Sequence, residues 1–375
     1  MSNNLRIGII GLGLRGRHFA WLTSKVPGLA LTAVCDLTQD KWHLPSLEND
    51  RPLNETFPDT RFFENSYDLL DSGLVDAVII ETPASQHVTF CEAALQRNLH
   101  VFGEIPPVAD LHEALRLWNT ERASKGMFMT GANPNRWGFV KGLKDFAEAG
   151  LLGEPFYLEA EYIHDCRDLW EQSPWRRDED SPIKYCTHSL GPLLMIMKED
   201  LRTVSCLGTG CRIAQHADDD LMTAHFATPG KVIVRITISF VNANRFGMHS
   251  YRVFGTHGCF ERLAERGSRP AEVFFNSDKL YGLQEPALLA VDKEPVEYRK
   301  RPDILSSGHN GVDYDLLSAF ASAIRAGNGI SPISLKEGLR MTLPGLYAAV
   351  SASRGGELLQ IRYPWDDDFD EDALD

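Results

Sequence analysis

The sequence predicts two kinds of domain in succession: an α/β domain on a doubly wound parallel sheet, then an α+β domain on an open, mostly antiparallel sheet. Three observations carry this. At 375 residues the chain exceeds what one hydrophobic core usually supports. Its first 135 residues alternate short apolar runs with amphipathic stretches, as parallel strands covered on both faces do. Beyond residue 153 extended segments dominate. The expected division is 1–135, 136–363 and an acidic, disordered tail over 364–375.

The elements follow in order. LRIGIIG (5–11) is an apolar strand, GLGLRG (11–16) a glycine turn, and RHFAWLTSK the helix behind it. LALTAVCD (29–36), VDAVIIETP (75–83), LHVFGEIPP (99–107) and MFMTGANPN (127–135) read as further strands. HVTFCEAALQRN (87–98) and ADLHEALRLWNTERASKG (109–126) read as helices between them. After the helical WGFVKGLKDFAEAGLLG (137–153) come strands at 155–163, 202–211, 220–227 and 231–241. HSYRVFGTHGCFERL (249–263) is a hairpin turning at Gly-Thr-His-Gly. Residues 312–354 are helical again, packing toward the first domain or along the sheet.

Gly11, Gly13 and Gly16, with Leu14 and Arg15 among them, follow a strand directly and open a helix. That is the context in which G-x-G-x-x-G cradles a dinucleotide: the glycines allow the tight turn and let a pyrophosphate approach backbone N–H groups at the helix start. Asp36 ends the second strand twenty residues after Gly16, where a carboxylate accepts hydrogen bonds from a ribose and repels a 2'-phosphate. NAD is therefore expected over NADP, with Arg15 and Lys41 as the cations that pull the other way. Asn133 is expected to end the sixth strand at the cofactor edge.

Composition narrows the partners. A net charge of -14 argues against nucleic acid and anionic membranes. Half of it is local, since the last twelve residues hold seven acids and no base. Seven cysteines without a CxxC pair suggest reduced thiols in a cytoplasm. No signal-peptide pattern or membrane-length apolar run is present. His164, Cys166 and His188 are not at zinc spacing, and no metal is expected. No G-x-S-x-G elbow occurs.

KYCTHSLGPL (184–193) places Tyr185 and His188 three apart, on one face if helical. Pro192 suits only a first helical turn, so the helix is expected to start no earlier than about His188. A helix N-terminus disfavours the imidazolium, and a neutral imidazole accepts protons. His188 is thus the expected acid/base group and Tyr185 its phenolic partner.

TPASQHVTFCEAALQRNLHVFGEIP (82–106) resembles the signature of the Gfo/Idh/MocA oxidoreductase family, through Thr82, Pro83, His87, Glu104 and Pro106. AEYIHDCRDLW (160–170), PWRRDED (174–180), YCTHSLGPL (185–193) and GHNGVDY (308–314) resemble stretches of one branch, the NAD-dependent glycosidases of glycoside hydrolase family 109. The resemblance implies a Rossmann domain and an open-sheet domain, with Thr82, Pro83, His87 and Glu104 around the nicotinamide. It implies a cis peptide before Pro106, while Ile105, His164, Arg176 and His309 are the expected substrate contacts, against a structural pair for His164 with Asp165, a cover over apolar surface for Arg176 beside Trp175, and a helix cap for His309. A homodimer or homotetramer through the open sheet is also expected. Ile105 stands where most family dehydrogenases carry lysine, as it does in the glycosidase-like branch; Cys186 and Ser189 depart from that branch. Three readings follow: a NAD-dependent oxidoreductase of a sugar, cyclitol or glycoside hydroxyl; a glycosidase using the same oxidation transiently; and a non-catalytic sugar or NAD sensor.

Overall fold

The computed structural model describes residues 4–170, 181–214, 219–243, 247–264, 271–283, 285–289, 297 and 301–374. The chain forms two compact units, Met1–Asn133 with Glu294–Gly338 and Pro134–Lys293 with Leu339–Asp375.

The first unit holds six parallel strands: β1 (Leu5–Ile10), β2 (Leu29–Cys35), β3 (Arg61–Phe63), β4 (Ala77–Ile80), β5 (His100–Gly103) and β6 (Phe128–Thr130), in the order β3-β2-β1-β4-β5-β6. The switch point lies between β1 and β4, so the carboxyl ends of these strands border the crevice where open α/β sheets bind ligands. β4 is apolar on both faces and fully buried, as a central parallel strand must be. Helices α1 (Leu14–Thr23), α2 (His87–Gln96) and α3 (Leu111–Ala123) are the crossovers.

Residues 294–338 belong to this unit, where the sequence division ran the second domain unbroken from 136 to 363. The cause is α6 (Val312–Ala326), following α4 and α5 named below. Leu316, Leu317, Phe320 and Ala321 are buried on it, and Phe320 meets Phe102 of β5 edge-on at 5.7 Å. Periodicity shows which face of a helix is apolar, not which sheet it covers.

The second unit contains α4 (Gly138–Glu148), β7 (Pro155–Ile163), α5 (Thr187–Leu194) and the strands β8 (Thr203–Gly208), β9 (Leu221–Ala227), β10 (Ile233–Ser239), β11 (Met248–Gly255), β12 (Gly258–Leu263), β13 (Glu272–Ser277), β14 (Ala287–Leu289) and β15 (Leu359–Gln360). Its order is β14-β13-β12-β11-β7-β10-β9-β8-β15. β7 is parallel to β10 and antiparallel to β11; among the described residues the other pairings of this sheet are antiparallel. β11 and β12 turn at Thr256-His257, as expected. Helix α7 (Leu335–Ser353) crosses the division between the units.

The acidic tail, expected to be disordered, has defined partners. Trp365 stacks on Tyr363 at 4.7 Å, Asp366 pairs with Arg202 and accepts the Tyr363 N–H at 2.9 Å. Net charge reports an acidic run but not the arginine waiting for it.

Candidate active site

The glycine turn is built by steric necessity at two positions. Gly11 has φ +94, and a Cβ there would lie 2.5 Å from the Glu81 carbonyl oxygen. A Cβ on Gly16 would lie 1.8 Å from the Gly11 carbonyl oxygen, so α1 could not pack. Gly13 differs: no atom of the described residues lies within 4 Å of its Cβ position. The protein itself does not demand that glycine, and the open space at the start of α1 is what an approaching pyrophosphate requires.

Asp36 accepts the Leu12 N–H at 2.7 Å and the Leu37 N–H at 2.9 Å, tying the glycine turn to the end of β2. Lys41 Nζ stands 3.2 Å from both of its oxygens. Thr82 Oγ1, just beyond β4, and Asn133 Oδ1, in the turn beyond β6, are buried with no hydrogen-bond partner among the described residues. Buried polar atoms are nearly always paired, so these two await a polar ligand. His87 is 1% exposed and bridges the Thr82 and Pro106 carbonyl oxygens, each at 2.8 Å, clamping the loops that Pro83 and the cis Ile105–Pro106 peptide shape. Ile105 is buried. The residues present fit NAD.

Behind this edge lies a charge network that the sequence reading passed over. The Asp313 side chain, wholly buried in the first turn of α6, takes Arg15 Nη1 at 2.6 Å, His309 Nδ1 at 2.8 Å and His18 Nε2 at 3.1 Å. Arg15 also reaches Glu104 at 3.2 Å, and His18 Nδ1 meets Glu48 at 2.6 Å. Burial alone would raise the Asp313 pKa; the Arg15 charge, then His309 and His18, outweigh it and hold the carboxyl well below the usual range. Glu81 goes the other way. Burial, then the negative charge of Glu104, pushes it well above the usual carboxylate value. Glu81 had a signal, a single acid closing the apolar run of β4; Asp313, in GHNGVDY, had none, because its partners Arg15 and His18 lie far away in sequence. His309 stands in the short turn Gly308–Gly311, three residues ahead of α6. It and Asn310 take left-handed φ of 54° and 57°, and its Nδ1 lies 3.1 Å from Asn133 Nδ2.

In the second unit Tyr185 ends a 3-10 turn, Pro182–Tyr185, and His188 lies in the first turn of α5. Their rings stack at 4.8 Å and 27°. Tyr162 of β7 meets both edge-on, at 5.0 Å from His188 and 5.7 Å from Tyr185. Its hydroxyl lies 3.0 Å from His164 Nδ1, and its other face stacks on His249 of β11 at 4.5 Å. Asp165 is paired with Arg167. Tyr162 and His249 were missed; the signal for Tyr162 was its i, i+2 relation to His164, which sets both on one face of a strand. Arg176 lies outside the described residues.

The helix start differs slightly from expectation. α5 begins at Thr187 and Pro192 is its sixth residue. Proline cannot donate to the His188 carbonyl four residues back. That oxygen instead accepts the Tyr251 hydroxyl at 2.7 Å, which is why the proline is tolerated beyond the first turn. Burial pushes the Tyr251 phenol up, keeping it a donor.

A parallel 3-2-1-4-5-6 sheet with a dinucleotide edge, joined to a large open sheet, defines a nicotinamide-dependent oxidoreductase of the two-domain kind. Residues 5–132 match the oxidoreductase family with NAD-binding Rossmann fold, and residues 140–261 match the GFO/IDH/MocA C-terminal domain. The chain belongs to the Gfo/Idh/MocA family. It is 24% identical over 351 residues to glycosyl hydrolase family 109 protein 1 of Bacteroides thetaiotaomicron, covering 83% of this chain and 74% of the relative. The fold matches levoglucosan dehydrogenase, solved with NADH and L-sorbose, with a TM-score of 0.78 at 15% identity, over 97% of this chain and 100% of the other. It also matches myo-inositol 2-dehydrogenase of Lactobacillus plantarum, with a TM-score of 0.74 at 19% identity, over 96% and 100%. No helix among the described residues is long and apolar enough to cross a membrane, and none of the seven cysteines is in a disulfide.

Proposed function

We propose that this enzyme oxidises a secondary hydroxyl of a sugar, cyclitol or glycoside, with His188 accepting the hydroxyl proton and Tyr185 supporting it. The observation that carries the reading is the aromatic–imidazole assembly of Tyr162, Tyr185, His164 and His188. Aromatic faces suit the C–H faces of a sugar, and phenol and imidazole groups suit its hydroxyls. The start of α5 disfavours a charged His188 and so keeps a lone pair for the proton. NAD, when bound, supplies the hydride acceptor. Gly11, Gly13, Leu14, Arg15 and Gly16 would hold its pyrophosphate, Asp36 its ribose, and Thr82, Pro83, His87, Glu104 and Asn133 its nicotinamide end. Ile105, His164, Arg176 and His309 are the proposed substrate contacts.

A second reading has its own support. Ile105 is buried where most family dehydrogenases carry a lysine, and the glycosyl hydrolase relative points the same way. In this reading oxidation at carbon 3 acidifies the hydrogen at carbon 2; Tyr185 or His188 removes it, the glycosidic group leaves, water adds, and the cofactor is restored. The purified protein, incubated with aryl glycosides and with free sugars, separates the two. NADH absorbance rising without phenol supports net oxidation, phenol without net NADH supports cleavage, and neither would sink both. We further infer a reducing compartment from the thiols and self-association through the open sheet, where Phe156, Phe254 and Leu288 are exposed.

A further inference from the structure

Glu81 directly follows β4 and is 8% exposed. Its carbonyl oxygen lies 2.5 Å from where a Gly11 Cβ would stand, and its own Cβ lies 3.5 Å from where a Gly16 Cβ would stand. The side chain therefore starts beneath the glycine turn, against the first turn of α1. Its Oε1 is buried with no hydrogen-bond partner among the described residues. The Glu81 carboxyl is hydrogen-bonded to that of Glu104, and two carboxyl groups share a hydrogen bond only when one of them carries a proton. The surrounding charges give that proton to Glu81. From α1, Arg15 reaches Glu104 at 3.2 Å and Asp313 of α6 at 2.6 Å, and His18 lies between Asp313 and Glu48. His309 meets Asp313, and Asp36, paired with Lys41, takes the Leu12 N–H inside the turn. Arg15 thus spends its guanidinium on Glu104 and Asp313, and no ion pair to Glu81 is seen among the described residues. Burial and the Glu104 charge favour the uncharged acid as well.

We infer that Glu81 is a specificity residue for the cofactor: the glycine turn takes a dinucleotide pyrophosphate with the Glu81 proton in place, and ionised Glu81 opposes it. The inference rests on the NAD reading and goes beyond it. A pyrophosphate brings two negative charges to the N–H groups of this turn. Like charges are weakly screened in a buried setting, so a carboxylate beneath the turn repels the ligand that a carboxylic acid admits. Where Glu81 is ionised before binding, it takes one proton from solvent as the pyrophosphate arrives and returns it on release. No bond to the cofactor is made or broken. The sign follows: affinity is greatest below the folded Glu81 value of the free protein and is lost as pH rises through it. Asp36 sorts dinucleotides by the 2'-phosphate, while Glu81 sets the pH range in which a dinucleotide is held.

The test titrates the full-length protein from pH 5 to pH 9 with NAD and with ADP-ribose, which keeps the pyrophosphate and lacks the nicotinamide. Glu81→Gln, which has the shape of the protonated acid, is measured beside the parent. At pH 5 the two should bind NAD within about twofold of each other. Toward pH 9 the parent should weaken relative to the variant, on the order of tenfold, for both ligands. Calorimetry in two buffers of different ionisation enthalpy should show the parent taking up more protons per ligand bound than the variant over that fall. Glu81→Ala, shorter and also uncharged, should follow Glu81→Gln and serves in its place if the glutamine does not fold. A constant ratio of parent to variant affinity, equal proton uptake, or a pH dependence seen with NAD and not with ADP-ribose would each overturn the inference. A parent that binds neither ligand at any pH would overturn the NAD reading along with it.

Discussion

The Tyr251 hydroxyl donates to the His188 carbonyl oxygen at 2.7 Å, filling the place of the N–H that Pro192 lacks. The contact joins β11 to the first turn of α5 and so fixes the backbone of the proposed base rather than its ring. A buried carbonyl left unpaired costs about 1–3 kcal/mol.

Tyr251→Phe should therefore lower stability by about that amount. In a Pro192→Ala background, where an alanine N–H can reach the same oxygen, the loss should be smaller. Thermal denaturation of the four proteins reads the coupling, and strict additivity would show that the proline did not orphan the carbonyl.

Asp36 should set the cofactor. Asp36→Ser should weaken NAD binding and relax discrimination against NADP, because the carboxylate no longer opposes a 2'-phosphate and Lys41 is released toward it. Calorimetric titration with both cofactors decides this; equal affinity of the unmodified protein for the two would refute it.

Glu81 should make stability fall with pH. Its folded pKa is raised, so between the ordinary carboxylate value and that raised value the folded state holds the extra proton. Stability is then greatest below the unfolded value and is lost as pH rises toward the folded one, by about 1.4 kcal/mol per unit of difference. Glu81→Gln mimics the protonated group. Its melting temperature relative to the parent should rise from pH 5 to pH 8, and a constant difference across that range would contradict the assignment.

The cleavage reading makes its own demand. In heavy water the released sugar should carry deuterium at carbon 2, seen by mass spectrometry and NMR. Cleavage without that label would leave a glycosidase that does not work by elimination.

Much of this was legible in the sequence, for physical reasons. Steric rules fix glycine turns, so Gly11 and Gly16 could be read from spacing alone. Buried parallel strands are continuous apolar runs, so β1, β2, β4 and β5 were visible. Tyr185 and His188 lie close in sequence, and their stacking needed only local structure. The rest depends on long-range contacts. Asp313 meets Arg15 across 298 positions, and Tyr251 meets His188 across 63, which no local pattern encodes. The domain to which α6 belongs was left open between two placements, and the anchoring of Trp365 was not foreseen, for the same cause.

The most direct measurement is turnover and NAD affinity of His188→Ala, taken together. The account predicts a loss on the order of a hundredfold or more in sugar oxidation or glycoside cleavage with NAD binding unchanged. A His188→Ala protein that retains full turnover would contradict it.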